Sequence, residues 1–183
     1  VKEILGKIDG LTEKDKFTRD MWNTVNPAAG PVYIEGALPG EILKIQVLKI
    51  KLRDFAVMCG QSGRGALAKQ VKGIETKIIP IKGGKLLLNE NISIPVKPMI
   101  GVLGTAPKGK PVLSGHPGEH GGNMDCRDIA EGTSVYLPVN VKGALLALGD
   151  LHAVMGDGEV CICGAEISGE VILKTEIIRG EIP

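Results

Sequence analysis

No apolar run in this chain approaches the ~18–20 residues that a membrane-spanning helix needs, so no such span is expected. Aromatic residues are scarce, with one Trp, two Tyr and two Phe, which leaves little for stacking on nucleobases. Neither sign of charge dominates: 22 Lys and Arg stand against 21 Asp and Glu, a formal net charge of +1. A surface for nucleic acid or anionic lipid needs a clustered basic excess; neither nucleic acid nor membrane is an expected partner. The opening VKEILGKIDG has no extended apolar stretch and no cleavage motif, so it does not read as a signal peptide. The four cysteines, Cys59, Cys126, Cys161 and Cys163, show no C-x-x-C spacing of the kind used by zinc ribbons and thioredoxin-like sites. They read as small buried hydrophobes in a reducing compartment, and the cytoplasm is the expected location. The segment GQSGRGALA (60–68) contains G-x-x-G-x-G but lacks the G-K-[ST] of a phosphate loop.

What is present is a β-rich pattern. At 183 residues and 43% apolar content, the chain is long enough for one domain with a core or for two small ones. Its 26 Gly and 11 Pro are scattered, as turns between many short strands would be. Val1, Ile4, Leu5 and Ile8 keep helical spacing and predict a short helix ending near Gly10, with Thr12 and Asp15 as a weak capping pair. From Val32 the period changes to that of strands, in VYIEG, EILKIQVLKIKL and FAVMCG. Within 42–50, Leu43, Ile45, Val47 and Lys49 share one face, and Ile42, Lys44, Gln46 and Leu48 the other. KGGK (82–85) is a hairpin signal, and MIGVLGTAP is an apolar strand. Residues 107–134 form the longest stretch without strand periodicity, a length that favours a functional loop. Four strand-like runs follow: SVYLPVNV, ALLALGDLHAVM, EVCICGAEI and EVILKTEIIRG. The expected fold is mainly β, an antiparallel sandwich or barrel-type architecture with minor helix. It reads as a single unit over 1–183, with two subdomains at about 1–105 and 106–183 as a finer division.

Two polar clusters interrupt this apolar background. GDLHAVMGDGE (149–159) carries Asp150, His152, Asp157 and Glu159. The long loop carries GEHGGNMDCRD (118–128), where Glu119, His120, Asn123 and Asp125 surround Gly121 and Gly122, with His116 just before. Imidazole with carboxylate oxygen is a normal donor set for zinc and other divalent ions, yet no standard spacing such as H-E-x-x-H occurs. A metal site, an acid–base site and two solvated loops all remain open on this chemistry.

Asp157-Gly158 is a dipeptide that favours a two-residue hairpin turn. In that register His152 faces Cys163, and Asp150, His152, Glu159, Cys161 and Cys163 share one face of the sheet. Leu151, Ala153, Met155, Val160 and Ile162 share the other. Glu159 would pair with Gly156, four positions from His152, or about 13 Å along a strand at ~3.3 Å per residue. A flat hairpin therefore keeps its carboxylate off the imidazole: either a bulge or longer turn folds GDGE back, or Glu159 works from the far side of a pocket.

Taken together, GPVYIEGALPGEILKIQVLKI, HPGEHGGNMD, GTSVYLPVNVKGALLALGD and GDLHAVMGDGEVCICGAEI resemble the acetamidase/formamidase family, in the family's order across nearly the whole chain. The chain resembles the central part of a member, with the flanking family sequence absent. The resemblance implies a mostly β fold and hydrolysis of small linear amides such as formamide and acetamide to the carboxylate and ammonia. It implies a divalent metal ion, zinc first and calcium second, and a homodimer or higher homo-oligomer. Carried over residue by residue, it brings the two clusters into one pocket. Asp125 and His152 are then metal ligands, and Glu159, His120 and Asp150 are catalytic, Glu159 as a proton shuttle with its pKa raised by burial. Gly121, Gly122 and Asn123 bind substrate, through the oxyanion. The alternative is a non-catalytic β domain, derived from that family, that binds a metal or small ligand.

Overall fold

The computed structural model describes residues 25–179. Among them are β1 (Ala28–Val32), β2 (Ile42–Leu52), β3 (Phe55–Gln61), β4 (Ile74–Lys82), β5 (Lys85–Leu87) and β6 (Ser93–Pro95). They are followed by β7 (Met99–Gly104), β8 (Gly121–Asn123), β9 (Ser134–Pro138), β10 (Leu146–His152), β11 (Glu166–Ile167) and β12 (Gly169–Ile178). The described residues contain no helix, so the mainly β expectation holds; the helix expected near Val1–Gly10 and the capping pair after it lie outside the described residues.

The chain forms two compact units and passes between them repeatedly. Unit 1 holds Lys51–Met99 and Leu151–Glu170; unit 2 holds Asn26–Ile50, Ile100–Asp150 and 171–179. A single cut near residue 105 does not reproduce them, because each unit is assembled from separated segments.

Unit 1 is built on an antiparallel meander. β3 pairs with β4 from Phe55↔Pro80 to Gln61↔Ile74, and β4 with β5 through Ile81↔Leu86. Gly83 and Gly84, with φ of 56° and 71°, make the turn between β4 and β5; positive φ at both central residues is what a tight hairpin demands. β6 adds to β5 through Leu86↔Ile94. On the other side of β3, Val57 pairs with Glu166 of β11, and β11 in turn pairs with the end of β10, Leu151↔Ile167 and His152↔Glu166. Ala56, Ile79, Leu86, Ala153, Ala165 and Ile167 are buried here, and so is His152.

Unit 2 carries two antiparallel groups. In one, β10 pairs with β1 (Ala28↔Gly149) and lies beside β7, which pairs with the short β8 from Val102↔Asn123 to Gly104↔Gly121. In the other, β2 lies between β12 and β9, paired with β9 from Ile42↔Pro138 to Gln46↔Ser134. Along β2, Leu43, Ile45 and Val47 are buried as the alternation predicts, each worth about 1.5–3 kcal/mol of transfer free energy. The phase then slips: Leu48 and Lys49 are exposed and Ile50 is buried. The slip falls where the β9 ladder has ended, and the Ile50 N–H is taken instead by Glu131 Oε1 at 2.6 Å. Glu131, which reads as an ordinary surface charge, thus closes a backbone donor.

The polar hairpin departs from its expected form. A turn does form at Asp157-Gly158, with Glu159 N–H bonded to Gly156 O at 3.3 Å. A second turn follows at once, Ile162 N–H to Glu159 O at 2.6 Å. Glu159 and Ile162 take positive φ, 38° and 77°. The extra turn consumes residues that a tight hairpin would have paired. Glu166 rather than Cys163 therefore faces His152, an odd slip of three positions that exchanges the faces of the returning strand.

Candidate functional site

In unit 1 the chemistry gathers on His152. Its side chain is 1% exposed at the end of β10. Across the β10–β11 pairing, Glu166 Oε2 lies 3.2 Å from Nε2, while Glu166 Oε1 accepts the Gly164 N–H at 2.9 Å. The backbone of Gly164 thus orients a carboxylate, which orients the imidazole. The double turn brings Glu159 back, and its Oε1 lies 4.0 Å from His152 Nδ1. Gly164 is itself part of the seat, since a Cβ there would stand 2.6 Å from Nδ1.

The thiols of unit 1 lie nearby. The Cys59 N–H donates to Cys163 Sγ at 3.1 Å, and Cys163 donates to Cys59 O at 3.0 Å. Hydrogen bonding from Cys163 holds the Cys59 thiol below its ordinary pKa, and the same bond with burial holds Cys163 well above the thiol range. In effect Cys163 keeps its proton and Cys59 is the partner favoured as thiolate. Cys59, Cys161 and Cys163 are half-buried and Cys126 is exposed, so none is the fully buried hydrophobe that composition suggests.

In unit 2 a second polar set surrounds Gly101 on β7. A Cβ at Gly101 would lie 2.8 Å from Asp150 Oδ2 and 2.9 Å from Asp125 Oδ1. Only glycine leaves two carboxylate oxygens this cradle. Asp150 is buried and its Oδ2 accepts Asn26 Nδ2–H at 2.9 Å. Asp125 follows β8, and its N–H donates to Gly101 O at 3.2 Å. Its Oδ2 accepts Asn123 Nδ2–H at 2.8 Å. Asn26, Asp125 and Asp150 all have positive φ, 57°, 41° and 55°. Strain of this kind costs on the order of 1–3 kcal/mol per residue and collects at functional sites.

Unit 2 also contains a cavity of about 180 Å³ lined by His120, Gly104, Gly122 and Thr105, with Ala28 and Ala147 from β1 and β10. That is below the ~300–1,000 Å³ of pockets for drug-sized ligands. Thr105 directs its hydroxyl to Pro138 O at 2.8 Å, which leaves His120 as the titratable group on the wall.

The residues expected from the sequence are therefore placed as follows. Glu159 and His152 come together in unit 1. Asp125, Asp150 and Asn123 belong to the Gly101 set of unit 2, and His120 and Gly122 to its cavity. Gly121 N–H donates to Gly118 O at 3.0 Å, so the Gly118–Gly121 turn takes it rather than an oxyanion. Asn123 has given its Nδ2 to Asp125, and what it retains is an acceptor: Oδ1 is buried and bonded by no described residue. Sequence reasoning missed Glu166, Asn26, Gly101 and Gly164. Glu166 stands in an apparent strand, EVCICGAEI, and the register that sets it opposite His152 depends on a turn no dipeptide announces. Asn26 precedes Pro27, a dipeptide that signals a turn and not a polar partner for a distant carboxylate.

Comparison with known proteins bears on the family and the fold. The model of the Acetamidase/Formamidase family matches residues 112–183. A solved acetamidase structure from Bacillus halodurans is similar at a TM-score of 0.90 and 50% identity, covering 94% of this chain and 59% of that one. A formamidase of Methylophilus methylotrophus is 45% identical over 64 residues, 34% of this chain and 16% of the relative. An acetamidase of Mycolicibacterium smegmatis is 43% identical over 65 residues, 35% and 16% of the two chains. The chain thus spans 59% of the length of the structural relative and 16% of each of these curated relatives.

Proposed function

The chain belongs to the acetamidase/formamidase family, and from that premise we propose that it hydrolyses small linear amides to the carboxylate and ammonia. The observation that carries the reading is the buried His152 held between two glutamates, Glu166 at 3.2 Å and Glu159 at 4.0 Å. A fully buried imidazole with two carboxylates is costly to assemble and is the equipment of proton transfer or metal ligation.

Water must lose a proton as its oxygen attacks the carbonyl carbon, and the nitrogen must gain one as the C–N bond breaks. We assign that proton to Glu159. A positioned carboxylate contributes about 10²–10⁴-fold by such transfer. Glu166 fixes the ring of His152 through Nε2. In unit 2, Asn123 Oδ1 is suited to accept an N–H of the amide, and the 180 Å³ cavity beside His120 suits a small substrate and turns away a large one.

Both units have donor sets that fit a divalent ion. His152 Nδ1 and Glu159 Oε1 are 4.0 Å apart, too far for a hydrogen bond. Imidazole nitrogen with carboxylate oxygen is a donor pair that would suit zinc. Glu166 on the opposite ring nitrogen then takes the usual place of the carboxylate that orients a metal-bound histidine. Asp125 and Asp150 around Gly101 form an oxygen-only set of the kind calcium prefers. When bound, such an ion lowers the pKa of water and polarises a carbonyl. The four free thiols support a reducing, cytoplasmic location. Exposed Val32, Tyr33, Leu38 and Tyr136 of unit 2 support a homo-oligomer.

The deciding experiment is ammonia release from formamide and acetamide by the 183-residue chain, with and without a chelator. Chelator-sensitive release is the expected result. A folded, metal-replete chain that releases no ammonia overturns the hydrolytic reading and leaves a binding domain.

A further inference from the structure

Unit 1 contains two thiols that amide hydrolysis does not use. Cys59 is on β3, and Cys163 lies just before β11, where the Val57↔Glu166 pairing runs out. Cys163 Sγ accepts from the Cys59 backbone at 3.1 Å and donates back to it at 3.0 Å, which sets the Cys163 sulfur directly against Cys59. Cys59 lines a cavity of about 610 Å³ together with Cys161, Lys77 and Thr76, whereas Cys163 is not on its wall. Cys59 is thus on the wall that a small solute meets and Cys163 is off it, as suits an attacking and a resolving cysteine.

We propose that Cys59 and Cys163 form a reversible dithiol–disulfide pair, a modification site that small hydroperoxides reach through this cavity. The Cys59 sulfur attacks one peroxide oxygen; an S–O bond forms, the O–O bond breaks, and the departing oxygen takes a proton. Cys163 sulfur then attacks Cys59 sulfur; the S–S bond forms, the S–O bond breaks, and water leaves with the Cys163 proton. The two thiols supply the two electrons that reduce the peroxide. Hydrogen bonding that favours the Cys59 thiolate supports its part as the attacking group. The backbone of Gly164, next to Cys163, holds Glu166, so the oxidised pair bears on the support of His152.

The test treats the full chain with hydrogen peroxide, alkylates the remaining thiols with iodoacetamide and maps the peptides. Of the four cysteines, two should escape alkylation as a Cys59–Cys163 crosslink, and dithiothreitol should restore all four. Cys59→Ser and Cys163→Ser should each abolish the crosslink, and Cys126→Ser should leave it intact. A crosslink through Cys161, oxidation of Cys59 beyond sulfenic acid with Cys163 still alkylated, or four alkylated cysteines after peroxide would each overturn the proposal. Mapping needs no turnover, so this result and that of the amide assay are independent.

Discussion

Gly101 shows how little at the residue scale depends on polar side chains alone. Two carboxylate oxygens, from Asp125 and Asp150, stand within 2.9 Å of where its Cβ would be. Gly101→Ala should displace at least one of them. The expected cost is about 1–3 kcal/mol of stability, with ammonia release lost more completely than the melting temperature suggests. Unchanged activity would show that the two carboxylates do not act in turnover. Glu166→Gln separates the two functions of that side chain. The amide oxygen still accepts the Gly164 N–H, but the negative charge beside His152 is gone. The expectation is a loss of about 10–100-fold in metal affinity with little change in thermal stability, read by titration with zinc. Loss of folding instead would make Glu166 a structural residue. Neither position was legible in advance. A glycine matters here through the oxygens it admits, and a glutamate through the strand it faces, and both facts are tertiary.

Elements were more legible than their registers. The alternation over 42–47 marks the buried face of β2 correctly, because half-buried strands repeat with period two. The slip at Leu48–Lys49 was hidden, since it depends on where β9 stops. It makes a direct comparison possible between two leucines of one strand. Leu43 is fully buried and Leu48 is 47% exposed. Leu43→Ala should cost about 2–5 kcal/mol, and Leu48→Ala no more than about 0.5 kcal/mol, by denaturant unfolding. Equal costs would place Leu48 in a packed environment. The polar hairpin teaches the same lesson. Asp157-Gly158 was a sound turn signal, and the turn is there. Glu159–Ile162 adds a second one through residues that carry no turn preference, and it alone brings the Glu159 carboxylate back to His152.

At the scale of the whole molecule, the chain passes from one unit to the other in the middle of a strand that carries site residues. Asp150 and His152 are two positions apart, yet the division between units falls at Asp150–Leu151. Unit 1 has an imidazole among its donors, as zinc prefers, while the Gly101 set of unit 2 is all oxygen, as calcium prefers. A resident ion stabilises the folded state by mass action. At about 1,000 times its Kd the gain is ~4 kcal/mol, and in a chain of this size each kcal/mol is worth ~2–4 °C. Chelation of the purified chain should therefore lower the melting temperature by about 8–16 °C, on these two magnitudes, and stop ammonia release. Zinc added back should restore both if the His152 set is the one in use. Recovery with calcium and not with zinc would assign the ion to Asp125 and Asp150. A melting temperature and a rate that both ignore the chelator would leave Glu159 and His152 to work as an acid–base pair without a metal.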